Sequence, residues 1–348
     1  MTKKNVKSYK DAGVDIHAAD RYKSRITRII AKTYDKKVLS SIGGFGGMIG
    51  FDKGKYASPV LVSSVDGVGT KLKVATMFGK HDTVGIDLVS HCANDIVVQG
   101  AKPLFFLDYI GTGGIKLNIL EEVMNGLVKG CQNAGCSLIG GETAQMPDVY
   151  EDGDYDLVGT MVGVVERKNI IDGRKIKPGD ILLGLPSNGL HTNGYTLARQ
   201  ILFDQCKLLV HKRYDEIEGS PGDILLRPHT LYSKAILDVM RFINIHGLCH
   251  ITGGGFQGNI PRVLPPGCGV VIQRGSWPVL PIFKFMQEKG KIVDAEMYRT
   301  FNMGIGMIVF ISPSSIKKAE MAFIRRGFKP WRIGRVIKSD KPVQFAHA

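Results

Sequence analysis

The sequence lacks any long apolar run and contains only six cysteines. No stretch approaches the roughly 18 apolar residues that a transmembrane helix requires. The first twenty residues, MTKKNVKSYKDAGVDIHAAD, contain no apolar core of signal-peptide length. No two cysteines have the C-x-x-C spacing of a zinc ribbon or a redox motif. We therefore expect a cytoplasmic protein that has no membrane segment and whose thiols stay reduced.

The sequence also lacks the motifs of several common anion-binding proteins. No G-x-x-x-x-G-K-[ST] string is present, which disfavours ordinary P-loop chemistry. Neither a Cys/His zinc module nor an RNP-like aromatic string accompanies the basic residues, so we expect no specific nucleic-acid binding. One literal G-x-G-x-x-G match, TGGGFQGN, is followed closely by Pro261, and no acidic residue lies about twenty positions on. We interpret it as a glycine loop leading into a helix near Asn259 to Leu264.

What the sequence has in excess is glycine and positive charge. Glycine accounts for 43 of 348 residues, about 12% against a background of roughly 7%. Lysine and arginine number 46 against 32 acidic residues, which gives a formal charge of +14. Because there is no Gly-x-y period, the glycines indicate tight turns and loops. The charge favours polyanions or phosphorylated small molecules as ligands.

Segments of strand-like composition alternate with segments of helical periodicity, and the length fits two domains. Pro59 to Val65 is typical of a strand that runs into a turn at Asp66 and Gly67. Apolar residues recur at helical spacing over Ile16 to Thr33. We predict an α/β (α+β) protein of two mixed domains. The charged stretch ERKNIIDGRKIKPGD marks the boundary, so the predicted domains are residues 1–170 and 171–348.

Two glycine-rich loops in the first half have the residue types of a nucleotide site. In SIGGFGGMIGFD, the glycines let the backbone approach a phosphate closely, although the composition fits a mobile hairpin equally well. In SSVDGVGTKLK, a carboxylate, a hydroxyl and an ammonium surround two glycines, which suits Mg²⁺ and phosphate. The candidate residues are Gly43, Gly44, Gly46 and Gly47 in the first loop and Asp66, Gly67, Thr70 and Lys71 in the second.

Three further polar clusters interrupt apolar segments. Asp95 lies in an apolar helix, where a carboxylate is costly unless it is paired or metal-bound, whereas Asp87 in the same helix fits a salt bridge or a cap. Glu142 lies just past a buried strand, where α/β sheets bind ligands, and is a candidate third oxygen ligand. The loop PSNGLHTNGY precedes a helix whose free N–H groups suit an anion. Its candidate residues are Asn188, His191, Thr192 and Asn193.

Taken in this order, the motifs resemble the phosphoribosylformylglycinamidine cyclo-ligase family of purine biosynthesis. The resemblance covers nearly the whole chain and rests on eight segments, none of which would be specific alone. This chain has Gln145 and Asp148 where the family has GGETAEMPG. The eight segments are YKDAGVDI, GGFGG, DGVGTKL, GIDLVSHCANDIVVQGAKPLFFLDY, GCSLIGGETAQMP, NGLHTNGY, HITGGGFQGNIPRVLP and EMYRTFNMGIGM.

The resemblance implies an ATP-dependent ring closure by a homodimer whose N-terminal domains pair through β-strands. In the family's reaction, ATP phosphorylates the formyl oxygen of formylglycinamidine ribonucleotide. The ribose-bearing nitrogen then attacks the activated carbon, and phosphate leaves as the imidazole closes. Phosphorylation turns a poor leaving oxygen into a good one, so the protein must position two anionic ligands and neutralise phosphate charge.

The resemblance also gives roles to the candidate residues around the nucleotide. Asp66 and Asp95 are predicted to bind Mg²⁺–ATP, with Glu142 assisting, and Lys71 is predicted to contact phosphate as part of the catalytic machinery. The loop from Gly43 to Gly47 is a predicted lid. A second predicted lid is the segment from Lys10 to Asp15.

At the substrate end, the resemblance places His191 together with Asn188, Thr192 and Asn193. His191 is predicted to handle the proton lost on cyclisation. The substrate is a phosphoribosyl compound, and neither a membrane nor a specific nucleic acid is expected as a partner.

Other members of the wider fold family fit less well. Selenophosphate synthetase needs a reactive cysteine or selenocysteine near its start, but the first cysteine here is Cys92. The hydrogenase-maturation relative needs a C-terminal cysteine, and this sequence ends QFAHA. Thiamine-monophosphate kinase lacks the NGLHTNGY and EMYRTFN strings. From a different class, a basic nucleic-acid-binding protein would show salt-sensitive polyanion binding without ATP turnover.

Overall fold

The computed structural model describes residues 15–347, so most of the predicted lid from Lys10 to Asp15 lies outside the described residues. The first half of the chain forms a four-stranded sheet in the order β1-β4-β2-β3. β2 and β3 run parallel, and the other two pairs are antiparallel. The strands are Pro59–Gly67 (β1), Lys102–Thr112 (β2), Ser137–Gln145 (β3) and Tyr155–Glu166 (β4).

Helices cover one face of this sheet. The helices are Ile16–Ile30 (α1), Lys71–Phe78 (α2), Val84–Val97 (α3) and Leu117–Ala134 (α4). α3 packs on β1, β2 and β4 and lies against α4. The approach of α3 to α4 requires a glycine, because a Cβ at Gly85 would lie 2.3 Å from the backbone nitrogen of Leu127. α3 also contacts α7 of the second half, so it lies between the two sheets.

The second half forms a six-stranded sheet in the order β10-β7-β9-β5-β8-β6, in which β10 and β7 are parallel and the other neighbours antiparallel. Every residue of β8 is buried, which agrees with its unbroken apolar sequence. The strands are Ile181–Pro186 (β5), Gly247–His250 (β6), Cys268–Arg274 (β7), Ile305–Ile311 (β8), Trp331–Lys338 (β9) and Val343–His347 (β10).

Seven further helices flank this sheet, and α5 continues into a π-helical turn over Gln200–Gln205. The buried side chains of α7 and α11 pack with those of β5 and β8 in one cluster. The helices are Tyr195–Arg199 (α5), Pro221–Leu225 (α6), Ser233–Met240 (α7), Gly255–Asn259 (α8), Pro281–Gly290 (α9), Asp294–Thr300 (α10) and Ile316–Ile324 (α11).

These two mixed sheets confirm the predicted α/β class, and the exact boundary at residue 170 stays a prediction. Two local expectations were wrong. β3 continues through Gln145, so Glu142 lies within a strand rather than in a turn after it. The helix expected near Asn259 to Leu264 is α8, which begins at Gly255, followed by one 3₁₀ turn. Among the described residues, no helix is long and apolar enough to cross a membrane.

Candidate active site

One side of α3 carries the polar residues that face the second half of the chain. The side-chain amide of Asn94 donates to the backbone oxygen of Thr230 at 2.8 Å and accepts the backbone N–H of Tyr232 at 2.8 Å. Both partners precede α7, so a single side chain joins the two halves. Helical residues three and four positions apart are neighbours, so three further polar residues of α3 lie on the same side as Asn94. They are Asp87, His91 and Asp95.

Lys71 and Asp87 form a fully buried ion pair, with both side chains 0% exposed. The Lys71 ammonium lies 2.8 Å from the carboxylate and also donates to the backbone oxygens of His191 at 3.1 Å and Arg227 at 2.9 Å. Burial lowers the pKa of Lys71 and raises the pKa of Asp87 to about 6, and the partner's charge opposes each shift. These bonds use all three N–H groups. This position therefore does not support the predicted phosphate contact of Lys71.

Asp66 lies at the end of β1 with its side chain 36% exposed. One carboxylate oxygen accepts the backbone N–H of Gly67 at 2.7 Å, and the other lies 2.9 Å from Nε2 of His91. His91 is buried, which by itself disfavours its charged form, but Asp66 raises the pKa of His91 above its ordinary value. The carboxylate of Asp66 is thus held in a fixed orientation at the surface of the cleft between the two halves.

Asp95 has a similar arrangement, with its side chain 32% exposed. Its Oδ1 lies 2.8 Å from Nδ1 of His250, and its Oδ2 accepts the hydroxyl proton of Ser64 at 3.1 Å. Burial opposes ionisation, yet the hydrogen bond and charge of His250 hold the pKa of Asp95 below its usual value. Two of the three predicted metal ligands, Asp66 and Asp95, are therefore anchored carboxylates with a buried histidine behind each.

Asp66 and Asp95 line one cleft of about 610 Å³ between the two halves. His250 and Thr252 line it from the second half. Arg262 is the one arginine or lysine among the described residues that line this cleft. Its guanidinium donates to the side chain of Asn259 at 3.1 Å. The cleft therefore presents one fixed guanidinium and three carboxylates, those of Asp66, Asp95 and Asp172.

Glu142 and the loop from Gly43 to Gly47 line a different pocket, of about 520 Å³. In the first sheet, Asp66 pairs with Gly159, Gly159 with Asp108, and Asp108 with Gly141, the neighbour of Glu142. Three strand spacings of about 4.8 Å, or about 14 Å in all, separate the two edges of the sheet. Since Mg²⁺ holds its oxygen ligands at about 2.1 Å, Glu142 and Asp66 of one chain do not reach the same ion.

The loop after β5 brings its predicted residues to α3 and to the loop that follows α6. The hydroxyl of Thr192 lies 2.8 Å from Nδ1 of His91. His191 has a φ of 63° and is buried, with its ring stacked on His229 at 4.0 Å between centroids. Burial lowers the pKa of His191 well below its ordinary value. His191 therefore lies behind the wall of the cleft.

The remaining predicted residues lie around this centre. The side chain of Asn188 donates to the backbone oxygen of Pro228 at 2.8 Å, and that of Asn193 lies 3.5 Å from the Thr192 hydroxyl. The hydroxyl of Thr70 lies 3.0 Å from that of Thr196, which again joins the two halves.

Three histidines of the site were not among the predicted residues. His91 precedes Asp95 by four residues in α3, a spacing that places both on one side of a helix and could have been noticed. His250 ends a short buried strand before the glycine cluster. His229 has no local signal, because its backbone N–H binds Asp87, which lies 142 residues away in the sequence.

Comparison with known protein families finds matches over both halves. AIR synthase related protein, N-terminal domain, matches residues 53–165, and the corresponding C-terminal domain matches residues 177–345. The phosphoribosylformylglycinamidine cyclo-ligase of Syntrophus aciditrophicus (strain SB) is 51% identical over 333 residues, 96% of each chain. The protein of the same name from Geobacillus thermodenitrificans (strain NG80-2) is 47% identical over 333 residues, again 96% of each chain.

Solved structures with the same fold are more distant in sequence. The hydrogenase maturation protein HypE in complex with ATP has a TM-score of 0.69 at 16% identity, over 95% of this chain and 91% of that one. Thiamine-monophosphate kinase from Stenotrophomonas maltophilia K279a has a TM-score of 0.68 at 17% identity, over 91% of this chain and 94% of that one. At these identities the likeness concerns the fold alone.

Proposed function

The chain belongs to the phosphoribosylformylglycinamidine cyclo-ligase family, and we propose that its reaction takes place in the cleft lined by Asp66, Asp95 and Arg262. As a member of this family it is an ATP-dependent cyclo-ligase of de novo purine biosynthesis. It closes the imidazole ring of formylglycinamidine ribonucleotide and releases aminoimidazole ribonucleotide, ADP and phosphate.

The observation that carries this placement is the convergence of anchored charges from both halves. Asp66 and Asp95 come from the first half and Arg262 from the second, and all three line one cleft of about 610 Å³. A cleft between two rigid sheets suits two ligands that must meet in a fixed orientation. A neighbour of the same fold was crystallised with ATP, which supports a nucleotide as one of the two ligands.

Mg²⁺ is the proposed partner of the nucleotide, and the residues present fit it. Asp66 and Asp95 offer hard oxygen ligands, and each carboxylate is hydrogen-bonded from behind, as metal ligands usually are. When bound there, the ion would offset the negative charge of the phosphates. Glu142 remains a proposed nucleotide contact through the second pocket, together with the loop from Gly43 to Gly47.

The protein's own groups then bind and orient the reactants. We assign to Arg262 the phosphate contact that Lys71 cannot make in this arrangement, because the guanidinium is already fixed by Asn259. Lys71 instead holds the two halves in register. His191 keeps its proposed role with the proton lost on cyclisation. Its buried position requires that role to operate through neighbouring groups rather than at the cleft wall.

A homodimer that pairs through the first sheet is also part of the proposal. Leu61 and Val65 of β1 are each 66% exposed although both are apolar. Val158 and Val162 of β4 are half-buried, and the helices of this half pack on the opposite face of the sheet. An apolar sheet face of this kind is typical of a protein–protein interface.

The first experiment measures ADP release with formylglycinamidine ribonucleotide beside a gel shift with nucleic acid. The expected result is ADP formation that requires the substrate, with an Arg262→Lys variant raising the substrate KM at least tenfold. Tight, salt-sensitive nucleic-acid binding without ADP release would instead favour the alternative function.

A His191→Gln variant with an unchanged pH–rate profile would remove the proposed proton-transfer role of His191.

A further inference from the structure

Four histidines, which we call the histidine cluster, meet beside the cleft: His91, His191, His229 and His250. One ring nitrogen each of His191, His229 and His250 lies within 4.8 Å of the other two. All three of these side chains are buried, at the end of β6 and in the loops after β5 and α6. The carboxylates of the proposed Mg²⁺ site do not belong to this group of three, so it requires its own explanation.

The hydrogen bonds fix which nitrogen of His250 carries the proton. Nδ1 of His250 lies 2.8 Å from Oδ1 of Asp95, and an ionised carboxylate only accepts hydrogen bonds. Nδ1 therefore carries the proton. A neutral His250 then has its lone pair on Nε2, which lies 3.0 Å from Nε2 of His229.

A second chain of hydrogen bonds sets the proton position of His229 when His91 is neutral. His91 donates from Nε2 to Asp66 at 2.9 Å, so Nδ1 of a neutral His91 accepts the hydroxyl proton of Thr192 at 2.8 Å. The Thr192 oxygen is then an acceptor for Nδ1 of His229, at 3.4 Å. This leaves the lone pair of His229 on Nε2 as well.

With all rings neutral, two lone pairs therefore face each other across 3.0 Å, which is repulsive without a cation between them. Nδ1 of His191 adds a third unsatisfied atom, because it is buried and has no hydrogen-bond partner among the described residues. A buried polar atom without a partner is unfavourable, and a bound cation would satisfy it.

We propose that His191, His229 and His250 form a binding site for a divalent transition-metal ion such as Zn²⁺. Three neutral imidazoles are a usual ligand set for zinc, whereas Mg²⁺ prefers oxygen ligands. All three rings are buried away from water, a position that favours neutral imidazoles as metal ligands. Asp95 and Thr192 provide the hydrogen bonds that orient the ligand rings.

Metal binding requires a rotation of one ring. The rings of His191 and His229 stack with an angle of 23° between their planes, so one must turn to aim its lone pair at a shared ion. Turning His191 disturbs one contact, of 3.3 Å with Thr230. Gly306 lets this ring pack closely on β8, since a Cβ there would lie 2.6 Å from Cε1 of His191.

The ion would lie in the second half of the protein, next to the first half. All three ligands belong to the second half, whereas Asp66, His91 and Asp95 of the first half lie behind or beside them. His250 lines the cleft, which gives an ion a route past two carboxylates. Occupancy should therefore raise the unfolding temperature, because a ligand that binds only the folded state stabilises it.

The test is a titration of tag-free, chelator-treated protein with Co²⁺, followed by the visible absorption of four-coordinate Co²⁺. We expect one ion per chain, displaced by Zn²⁺ but not by millimolar Mg²⁺. His229→Gln should weaken binding at least 100-fold, and so should His191→Asn, in which asparagine tolerates the positive φ. His211→Gln is the matched control, because His211 is exposed and lies away from the cluster against Phe78, and it should bind as the unaltered protein does.

X-ray absorption of the zinc-loaded protein makes the test independent of any variant's folding. The expected spectrum contains about three imidazole nitrogens at about 2.0–2.1 Å. Absence of stoichiometric binding would overturn the proposal. It would indicate instead that a second proton on His91 removes the repulsion between the Nε2 lone pairs of His229 and His250. Displacement by Mg²⁺, or oxygen ligands alone, would also overturn it by placing the ion on the carboxylates.

Discussion

At the scale of single residues, the Lys71–Asp87 pair shows what a buried charge requires. The pair is fully enclosed, and its ammonium also binds backbone oxygens of His191 and Arg227 in the second half. Removing one partner of such a pair leaves the other charge buried alone, which costs about 3–5 kcal/mol. Lys71 is thus expected to contribute to stability rather than to phosphate binding.

A Lys71→Met variant should lower the free energy of unfolding by about 3–5 kcal/mol, measured by urea denaturation. Lys73→Met is the matched control, because Lys73 pairs with Asp154 at the surface and should cost less than about 1 kcal/mol. A Lys71→Met enzyme of unchanged stability whose turnover fell strongly would instead indicate a phosphate contact.

Asp108 is a second buried carboxyl, and burial raises its pKa to about 7. Its pKa in the unfolded chain is about 3.9, so the folded state binds more protons between about pH 4 and pH 7. Stability from this residue is therefore present at low pH and lost as the pH rises through 7. Asp108 lines the second pocket beside Glu142, so this pH dependence concerns the candidate nucleotide loop.

The Asp108→Asn substitution should therefore raise the free energy of unfolding more at pH 8 than at pH 5, because asparagine does not ionise. With about 1.4 kcal/mol per pKa unit, the gain between these two pH values should be about 3 kcal/mol in urea denaturation. Asp152→Asn, at a carboxylate that is 82% exposed, should show the same effect at both pH values. An equal effect of Asp108→Asn at pH 5 and pH 8 would contradict the buried, neutral form.

Residue types identified part of the site from sequence alone. Asp66 and Asp95, which line one cleft, could be proposed because carboxylates beside glycines or inside an apolar helix have few structural explanations. The ion pair of Lys71 could not be predicted, since nothing local reveals that Asp87 lies 2.8 Å from its ammonium. His229 was missed because its contacts come from distant parts of the chain.

At the scale of secondary-structure elements, the α3–α4 contact sets the position of the site. A Cβ at Gly85 would meet backbone atoms of Leu127 at 2.3 Å and Val123 at 2.5 Å, and backbone cannot move aside as a flexible side chain does. Since α3 carries His91 and Asp95, any displacement of this helix moves the cleft.

Gly85→Ala should destabilise the protein by about 1–3 kcal/mol, the usual cost of overpacking, in thermal or urea unfolding. Gly258→Ala in α8 serves as its control, because a Cβ there meets no atom within 4 Å and alanine favours a helix. Its stability should be equal or higher. An unchanged stability of Gly85→Ala would show that α3 and α4 are not closely packed.

Strands and helices of strong periodicity were predictable, as α1, α3 and β1 show. Short elements were not, because they are held by tertiary contacts rather than by local pattern. β6 has four residues and is paired with β8, and α8 has five residues and is closed by the Asn259 side chain. The continuation of β3 past two glycines depends on its pairing with β2, which the sequence does not reveal.

At the scale of the whole molecule, the exposed apolar face of the first sheet predicts association. Leu61→Glu should convert a dimer into a monomer in analytical ultracentrifugation, because a carboxylate would then be buried at the interface. Met321→Glu is the matched control, since Met321 of α11 is an exposed apolar residue on the second half. A monomeric unaltered protein, or an unchanged mass for Leu61→Glu, would contradict pairing through this face.

The glycine excess and the positive charge have different explanations at this scale. Several glycines permit close packing or positive φ at named positions, among them Gly85 and Gly306. The charge is not concentrated in the cleft, where Arg262 is the one arginine or lysine among the described lining residues. Encounter with phosphorylated ligands is thus favoured by the surface as a whole, while specificity depends on a few fixed groups.

The most direct test of the cleft as the active site is the turnover of an Asp95→Asn variant. ADP release with formylglycinamidine ribonucleotide should fall at least about 100-fold while the unfolding temperature stays within a few degrees, because a metal ligand is lost and the fold is kept. Asp152→Asn, on the surface, should retain full activity. Normal ATP-dependent turnover by Asp95→Asn would contradict the account.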